Sequence, residues 1–132
     1  MREGIQPTGV AVPKRPYVPV IALDDLVFVS GQVPVDVNGE LVDEELDGQV
    51  RAVIRNVETC LSAAGSSLRD VVRVGVYLAS RESFAPFNEL YAEAFGGTKP
   101  ARTTIVCGLM DDRYHVEMDV IATRSPAPSP GS

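Results

Sequence analysis

The residues able to do chemistry fall in three stretches of this 132-residue chain. Tyr17 opens the first expected strand, with Ser30-Gly31-Gln32 at the end of its partner. Asn88 lies among aromatics in Phe84-Ala-Pro-Phe-Asn88-Glu-Leu-Tyr91. Pro100-Ala-Arg102-Thr-Thr104 and Glu117, in Val116-Glu-Met-Asp-Val-Ile-Ala122, make the third. Arg102 opens an otherwise apolar run, where a guanidinium is costly to desolvate unless it meets an anion. Its planar fork suits a carboxylate. Taken alone, such an arginine is more often half of a structural ion pair, or an edge residue that keeps its head in water. Glu117 alternates with His115 and Asp119 against Val116, Met118 and Val120, a pattern that most often marks a solvated strand face.

Other chemistries lack their residues. His115 is the only histidine, with no second nitrogen or thiolate ligand beside it, so no metal is expected. No Ser-His-Asp arrangement, HExxH or phosphate-binding loop occurs, and Cys60 and Cys107 form no CxxC pair. Buried free thiols are expected instead. Twelve basic against 18 acidic residues give a net charge of -6. That balance disfavours the counterion release on which binding to phosphate backbones depends, so no nucleic acid is expected. The first twenty residues contain no apolar leader, and no apolar run approaches the roughly 20 residues of a membrane span. A reducing cytoplasm is the expected setting.

The elements that must position these groups alternate between two periodicities. Residues 1–15 read as an irregular arm and 125–132, rich in Pro and Ser, as a disordered tail, leaving one domain over 16–124. Residues 17–22 and 26–33 read as a hairpin about Asp24 and Asp25, followed by a turn region from Pro34 to Glu40 marked by Asn38-Gly39. Leu46, Val50, Val53, Ile54, Val57, Leu61 and Ala64 make one helical stripe, stopped at Gly65. Asp70 to Ala79 returns to strand composition, with Val72, Val74, Val76 and Leu78 on one face. A second helix starts near Ser83, carries Phe84, Phe87, Leu90, Tyr91 and Phe95, and ends at Gly96-Gly97. Strands over 101–109 and 114–123 follow, around Met110-Asp-Asp-Arg113.

This order predicts an α+β fold, a mixed sheet with both helices on one face. Both parities of residues 26–33 and 71–78 are largely apolar, so the second sheet face also needs cover, which oligomerisation would supply. If the last two strands pair as a tight hairpin, Arg102, Thr104 and Val106 share a face with Glu117, Asp119 and Ile121. Glu117 then lies opposite Val106, roughly 13 Å along the strand from Arg102. The two groups would flank a small substrate, or meet across a subunit interface.

The order and spacing of these segments resemble the Rid family, the reactive intermediate deaminases also called YjgF-like proteins. The resemblance runs from about Arg15 to Arg124. It rests on Pro16-Tyr17, Val29-Ser-Gly-Gln-Val-Pro34, Asn56-Val57, Phe84-Ala-Pro-Phe-Asn88, Pro100-Ala-Arg-Thr103 and Val116 to Ala122. It implies a fold of the bacillary chorismate-mutase type, as a homotrimer with its sheets packed into a central barrel and sites in the clefts between subunits. It implies a hydrolase like the 2-iminobutanoate/2-iminopropanoate deaminases, converting reactive 2-imino and enamine acids to 2-oxo acids and ammonia without a cofactor. By position, Arg102 matches the arginine that binds the substrate carboxylate and Glu117 the acid that positions water. Tyr17, Ser30, Gly31, Asn88 and Thr104 match the substrate-binding wall. Two departures bear on substrate preference: the usual Pro-Tyr-Ser-Gln is Pro16-Tyr-Val-Pro19, and Thr104 stands where well-known members carry cysteine. Alternatives are a noncatalytic small-acid-binding or regulatory trimer, and the ribonuclease activity ascribed to some relatives.

Overall fold

Among the described residues, six strands and two α-helices build one sheet and one helical layer. β1 (Arg2–Ile5), β2 (Val20–Leu23) and β3 (Leu26–Gln32) precede α1 (Leu46–Ala63); β4 (Val71–Leu78), α2 (Phe84–Phe95), β5 (Ala101–Val106) and β6 (Val116–Thr123) follow. A computed structural model describes residues 1–125 of the chain, so 126–132 of the expected tail lie outside the described residues. The six strands run in the order β1-β2-β3-β6-β4-β5. Every neighbouring pair is antiparallel except β4 with β5, which is parallel and joined through α2.

Both helices pack on the same face. The α1 residues Val50, Val53, Ile54, Val57, Cys60 and Leu61 share one core with the sheet residues Val20, Val27, Val29, Val74, Val76, Leu78, Val116, Met118 and Val120, and with Phe87 and Phe95 of α2. The mixed sheet with two helices on one face is therefore as the patterning predicts. Helix α1 stops as expected: Gly65 takes a φ of +78°. There the Ser66 amide donates to the Leu61 carbonyl at 2.9 Å and the Gly65 amide to the Ser62 carbonyl at 3.1 Å, the double bond of a Schellman end. The sharp turn between β2 and β3 uses Asp24 at a φ of +54°, which aspartate tolerates better than most residues.

Several expectations are corrected. The N-terminal arm is not wholly irregular, because Arg2–Ile5 pairs with the outer edge of β2. Its side chains are mostly exposed, so it carries no apolar alternation to betray it. Tyr17 is not on the opening strand: β2 begins at Val20, because Pro16 and Pro19 lack the amides a ladder needs. Val72 leaves the row of Val74, Val76 and Leu78, because the register against β6 slips between Val71 and Arg73, which buries Val71 and exposes Val72. The last two strands are shorter than 101–109 and 114–123, and they do not form a hairpin. β4 lies between them, and residues 107–115 form the connection.

Two buried amides tie this frame together. Gln49 of α1 donates to the carbonyls of Asp43 at 3.0 Å and Arg113 at 2.9 Å, and accepts from the His115 amide at 2.7 Å. It thereby anchors the start of β6 to the start of α1. Asn56 donates to the carbonyls of Val33 at 3.2 Å and Val35 at 3.0 Å, fixing the exit of β3. The His115 ring is itself engaged, with Nε2 2.9 Å from the Glu44 carbonyl. Truncating Gln49 to alanine leaves three backbone groups without partners. We expect Gln49→Ala to lose about 2–4 kcal/mol in urea unfolding with an unchanged m-value.

Candidate active site

The pleat divides the site residues between the two faces of the sheet. Val116, Met118, Val120 and Ala122 point into the core, so Glu117, Asp119 and Ile121 point to the face without helices. Arg102 pairs with Val74, and Thr104 with Val76, which places both on the helical side. Glu117 pairs with Tyr77, three positions further along β4 than Val74. Arg102 and Glu117 are therefore separated by about 10 Å along the strands and about 10 Å across them, on opposite faces. The expectation that they share a face fails because it assumed a β5–β6 hairpin; the intervening β4 sets a different register.

Arg102 is held by α2. Its Nη2 donates to Asn88 Oδ1 at 2.6 Å. Its guanidinium carbon lies 4.7 Å from the ring centre of Tyr91, 5.5 Å from Phe87 and 6.0 Å from Phe84. Cation–π contacts of this kind contribute roughly 0.5–2 kcal/mol depending on desolvation. Among the described residues no carboxylate pairs with Arg102, so the structural ion pair does not account for it. A cavity of about 300 Å³ adjoins it, lined by Tyr91, Phe95, Lys99 and Pro100 among others. The Tyr91 hydroxyl is buried without a hydrogen-bond partner, and burial is the main cause that raises its pKa, against the opposing charge of Arg102. Asn88 thus touches the guanidinium.

Glu117 lies in a second depression, an open cleft of about 570 Å³ whose wall includes Tyr17, Phe28, Ser30, Gly31 and Asp119. The structure brings together Tyr17, Ser30, Gly31 and Glu117, and separately Arg102 and Asn88; it does not bring the two groups to one place. Ser30 Oγ donates to the Val18 carbonyl at 2.8 Å and the Ser30 amide to the Pro19 carbonyl at 2.9 Å, which pins the segment carrying Tyr17. Gly31 sits where β3 slips register against β6. A Cβ there would lie 2.1 Å from Glu117 Oε2, so glycine makes the room for this carboxylate. Burial, and then the negative charge of Asp119, raise the Glu117 pKa above the ordinary glutamate range. A larger depression, about 740 Å³, lies beside α1 at Thr8, Arg55, Thr59 and Ser62 and includes none of these residues.

Sequence reasoning missed the aromatic setting of Arg102. Phe84, Phe87 and Tyr91 recur at helical spacing and read simply as a core stripe, yet Phe84 is 48% exposed and faces the guanidinium. It also missed Tyr77, whose hydroxyl donates to Asp119 Oδ2 at 2.6 Å. Only the cross-strand register reveals that contact.

A mixed sheet backed by two helices on one face recurs among known proteins. The family model described as Endoribonuclease L-PSP matches residues 8–124. The chain is 38% identical to a RutC family protein of Pyrococcus horikoshii, over 92% of this chain and 98% of that one. It is 36% identical to protein HMF1 of Saccharomyces cerevisiae, over 80% and 82%. Among solved structures, E. coli TdcF with bound serine superposes with a TM-score of 0.85 at 29% identity, covering 93% of this chain and 99% of that one. The E. coli YjgF gene product superposes at 0.84 with 26% identity, over 93% and 99%. This chain belongs to the Endoribonuclease L-PSP family, the superfamily of the YjgF, RutC and Rid proteins.

Two outcomes follow from the Glu117 environment. Gly31→Ala meets only the flexible end of one side chain, so its stability should stay within about 1 kcal/mol of native. A crystal structure should show Glu117 Oε2 displaced by about 1 Å or more, the distance needed to restore van der Waals contact. Glu117→Gln should be more stable than native at pH 7, because burial and the charge of Asp119 disfavour the Glu117 anion. A carboxyl whose pKa rises on folding binds more protons folded than unfolded, so its contribution falls as pH climbs from the ordinary value through the raised one. The advantage of Glu117→Gln should therefore vanish at pH 4, as read by urea unfolding at the two pH values.

Proposed function

We propose that this protein hydrolyses 2-imino acids, and the enamines that tautomerise to them, to 2-oxo acids and ammonium, at clefts between the subunits of a homotrimer. The observation that carries the reading is the state of Arg102: a guanidinium oriented by Asn88 and three aromatic rings, with no carboxylate among the described residues paired with it. Such a group is prepared for a ligand carboxylate, and bidentate pairing would orient the acid. The relative crystallised with bound serine holds an α-amino acid, which is in keeping with a small carboxylate ligand.

The chemistry asks little of the protein. An iminium carbon is electrophilic already; water adds to it, one proton of the added water passes to the nitrogen, the C–N bond breaks to expel ammonia, and the remaining hydroxyl proton passes to that ammonia, leaving the oxo acid and ammonium. Arg102 would fix the carboxylate, and Glu117 would hold the attacking water and accept its proton. Tyr17, Ser30, Gly31 and Thr104 would line the cleft. The residues themselves supply every group this step needs, so the reading requires no cofactor.

Neither face of one chain holds both groups, so the reading requires a second copy. Arg102 stands on the edge strand β5, and the open face carries Phe28 and Ile105 at 36% and 45% exposure, apolar area suited to a partner. Apposition of that edge to the Glu117 cleft of a neighbour would complete one site per interface. The net charge of -6 speaks against the ribonuclease activity that the family description names.

The test couples a pyridoxal-phosphate lyase that releases 2-aminoacrylate to the purified protein and follows 2-oxo acid formation. The native chain should accelerate it, and Arg102→Ala and Glu117→Ala should each lose about 100-fold or more in kcat/KM. Mixing the two inactive variants with subunit exchange should restore up to about a quarter of native activity, the share of interfaces that combine both intact groups. No acceleration by the native chain, or a fully active Arg102→Ala variant, removes the deaminase reading; no recovery on mixing removes the shared cleft.

A further inference from the structure

The open face carries a cluster that the proposed reaction does not use. Tyr77 is the cross-strand neighbour of Glu117 on one side and Ile105 on the other. Its hydroxyl reaches diagonally to Asp119 Oδ2 at 2.6 Å. That reach crosses Gly75, itself paired with Asp119. A Cβ at Gly75 would lie 2.5 Å from Asp119 Oδ1 and 2.9 Å from the Tyr77 hydroxyl, so the contact depends on the glycine. Asp119 and Glu117 stand two residues apart on the same face of β6, about 7 Å between their Cα atoms.

We propose that Tyr77 and Asp119 are positioning residues for Glu117: the tyrosine pins the Asp119 carboxylate in place, and the fixed neighbouring charge makes Glu117 the better proton acceptor. The inference rests on the reading of Glu117 as the group that takes a proton from water. Two carboxylates on one face repel as anions, so the negative charge of Asp119 disfavours the anionic form of Glu117. Tyr77 fixes where that charge stands by donating to Asp119 Oδ2. Glu117 has no donor or cation paired with it among the described residues, so it stays available to water.

The groups around Glu117 support this assignment. From β4 comes Tyr77, with Arg73 further along opposite Ile121; from β6, Asp119; from β3, Ser30 and Gly31, which carry no charge. β5 offers Thr103 and Ile105 on this face, and Tyr17 and Tyr114 approach from the loops. Asp119 is the one charge that raises the Glu117 carboxyl besides its burial. Tyr77 is itself pushed up to about 12, first by its bond to Asp119 and then by burial and the two carboxylates. A base raised toward neutrality takes a proton from water more readily than an ordinary carboxylate.

The test is a carboxyl-detected 13C NMR titration of Glu117 in the native protein, Asp119→Asn and Tyr77→Phe. Asp119→Asn keeps the shape and an acceptor for Tyr77, and should lower the Glu117 midpoint by about 0.5 pH or more. Tyr77→Phe frees the Asp119 carboxylate to turn away from its place, so the Glu117 midpoint should fall toward that of Asp119→Asn. A midpoint in Asp119→Asn within about 0.1 pH of native overturns the proposal, since one removed charge at this range should exceed that. Asp119→Ala gives the same reading if the asparagine variant does not fold. The titration needs no turnover, so an inactive native protein would defeat the deaminase reading without obscuring this one. In an active protein, the acid limb of kcat/KM should move with the NMR midpoint; a limb that stays put also overturns the proposal.

Discussion

The pleat of β6 is the constraint on which the rest of the molecule depends. Val116, Met118, Val120 and Ala122 are buried beneath the helices, each of the larger ones contributing about 1.5–3 kcal/mol by leaving water. A slip of one residue would expose that whole row and drive two carboxylates into the core. Glu117 and Asp119 are therefore held on the open face by the side chains between them, even though that position is unfavourable to Glu117 as an anion. The same alternation, carried through β4 to β5, delivers Arg102 to the helical side. There it meets α2 at the margin of the sheet, where aromatic rings and an amide replace the aliphatic core.

Polar groups in this protein fall into two kinds, and the difference separates frame from site. Gln49 and Asn56 are buried and hydrogen-bonded to backbone groups, and each ties a strand end to α1. Among the described residues Arg102 and Glu117 have no ion-pair partner, and the Tyr91 hydroxyl is buried without a well-formed hydrogen bond. Folding tolerates unmatched groups only where something else holds them. Here α2 holds the arginine, and the β6 pleat with the gap at Gly31 holds the glutamate.

Local periodicity made much of this legible. The α1 stripe from Leu46 to Leu61, the stop at Gly65, the α2 stripe and the position of Glu117 opposite the Val116 row all follow from side-chain spacing. Arg102 was visible as a misplaced charge, and the family likeness gave it a role. What stayed hidden depends on contacts distant in sequence. Nothing near residue 110 says that β4 will lie between β5 and β6, and that insertion decides which face Arg102 occupies. The slip that expels Val72, and the pairing of Arg2–Ile5 with β2, are likewise set by the partner strand and not by local propensity. Gly75 looked like an ordinary strand glycine, and the steric reason for Gly31 showed only once Glu117 stood opposite it.

The strand order also governs how the chain can assemble as it is made. β1, β2 and β3 with α1 form one half of the sheet, and β4 with α2 and β5 the other; these halves share no strand pairing. The strand that joins them, β6, is the last of the described elements to leave the ribosome. Until it does, each half exposes an unpaired edge and part of what will become the core. The joining step must then close contacts between β3 and β6 that span most of the chain, as in the pairing of Val27 with Ala122. Long-range closure of this kind is slow compared with local pairing. The carboxylates ride on that last strand, so the nascent chain acquires its chemistry and its continuous sheet in one event.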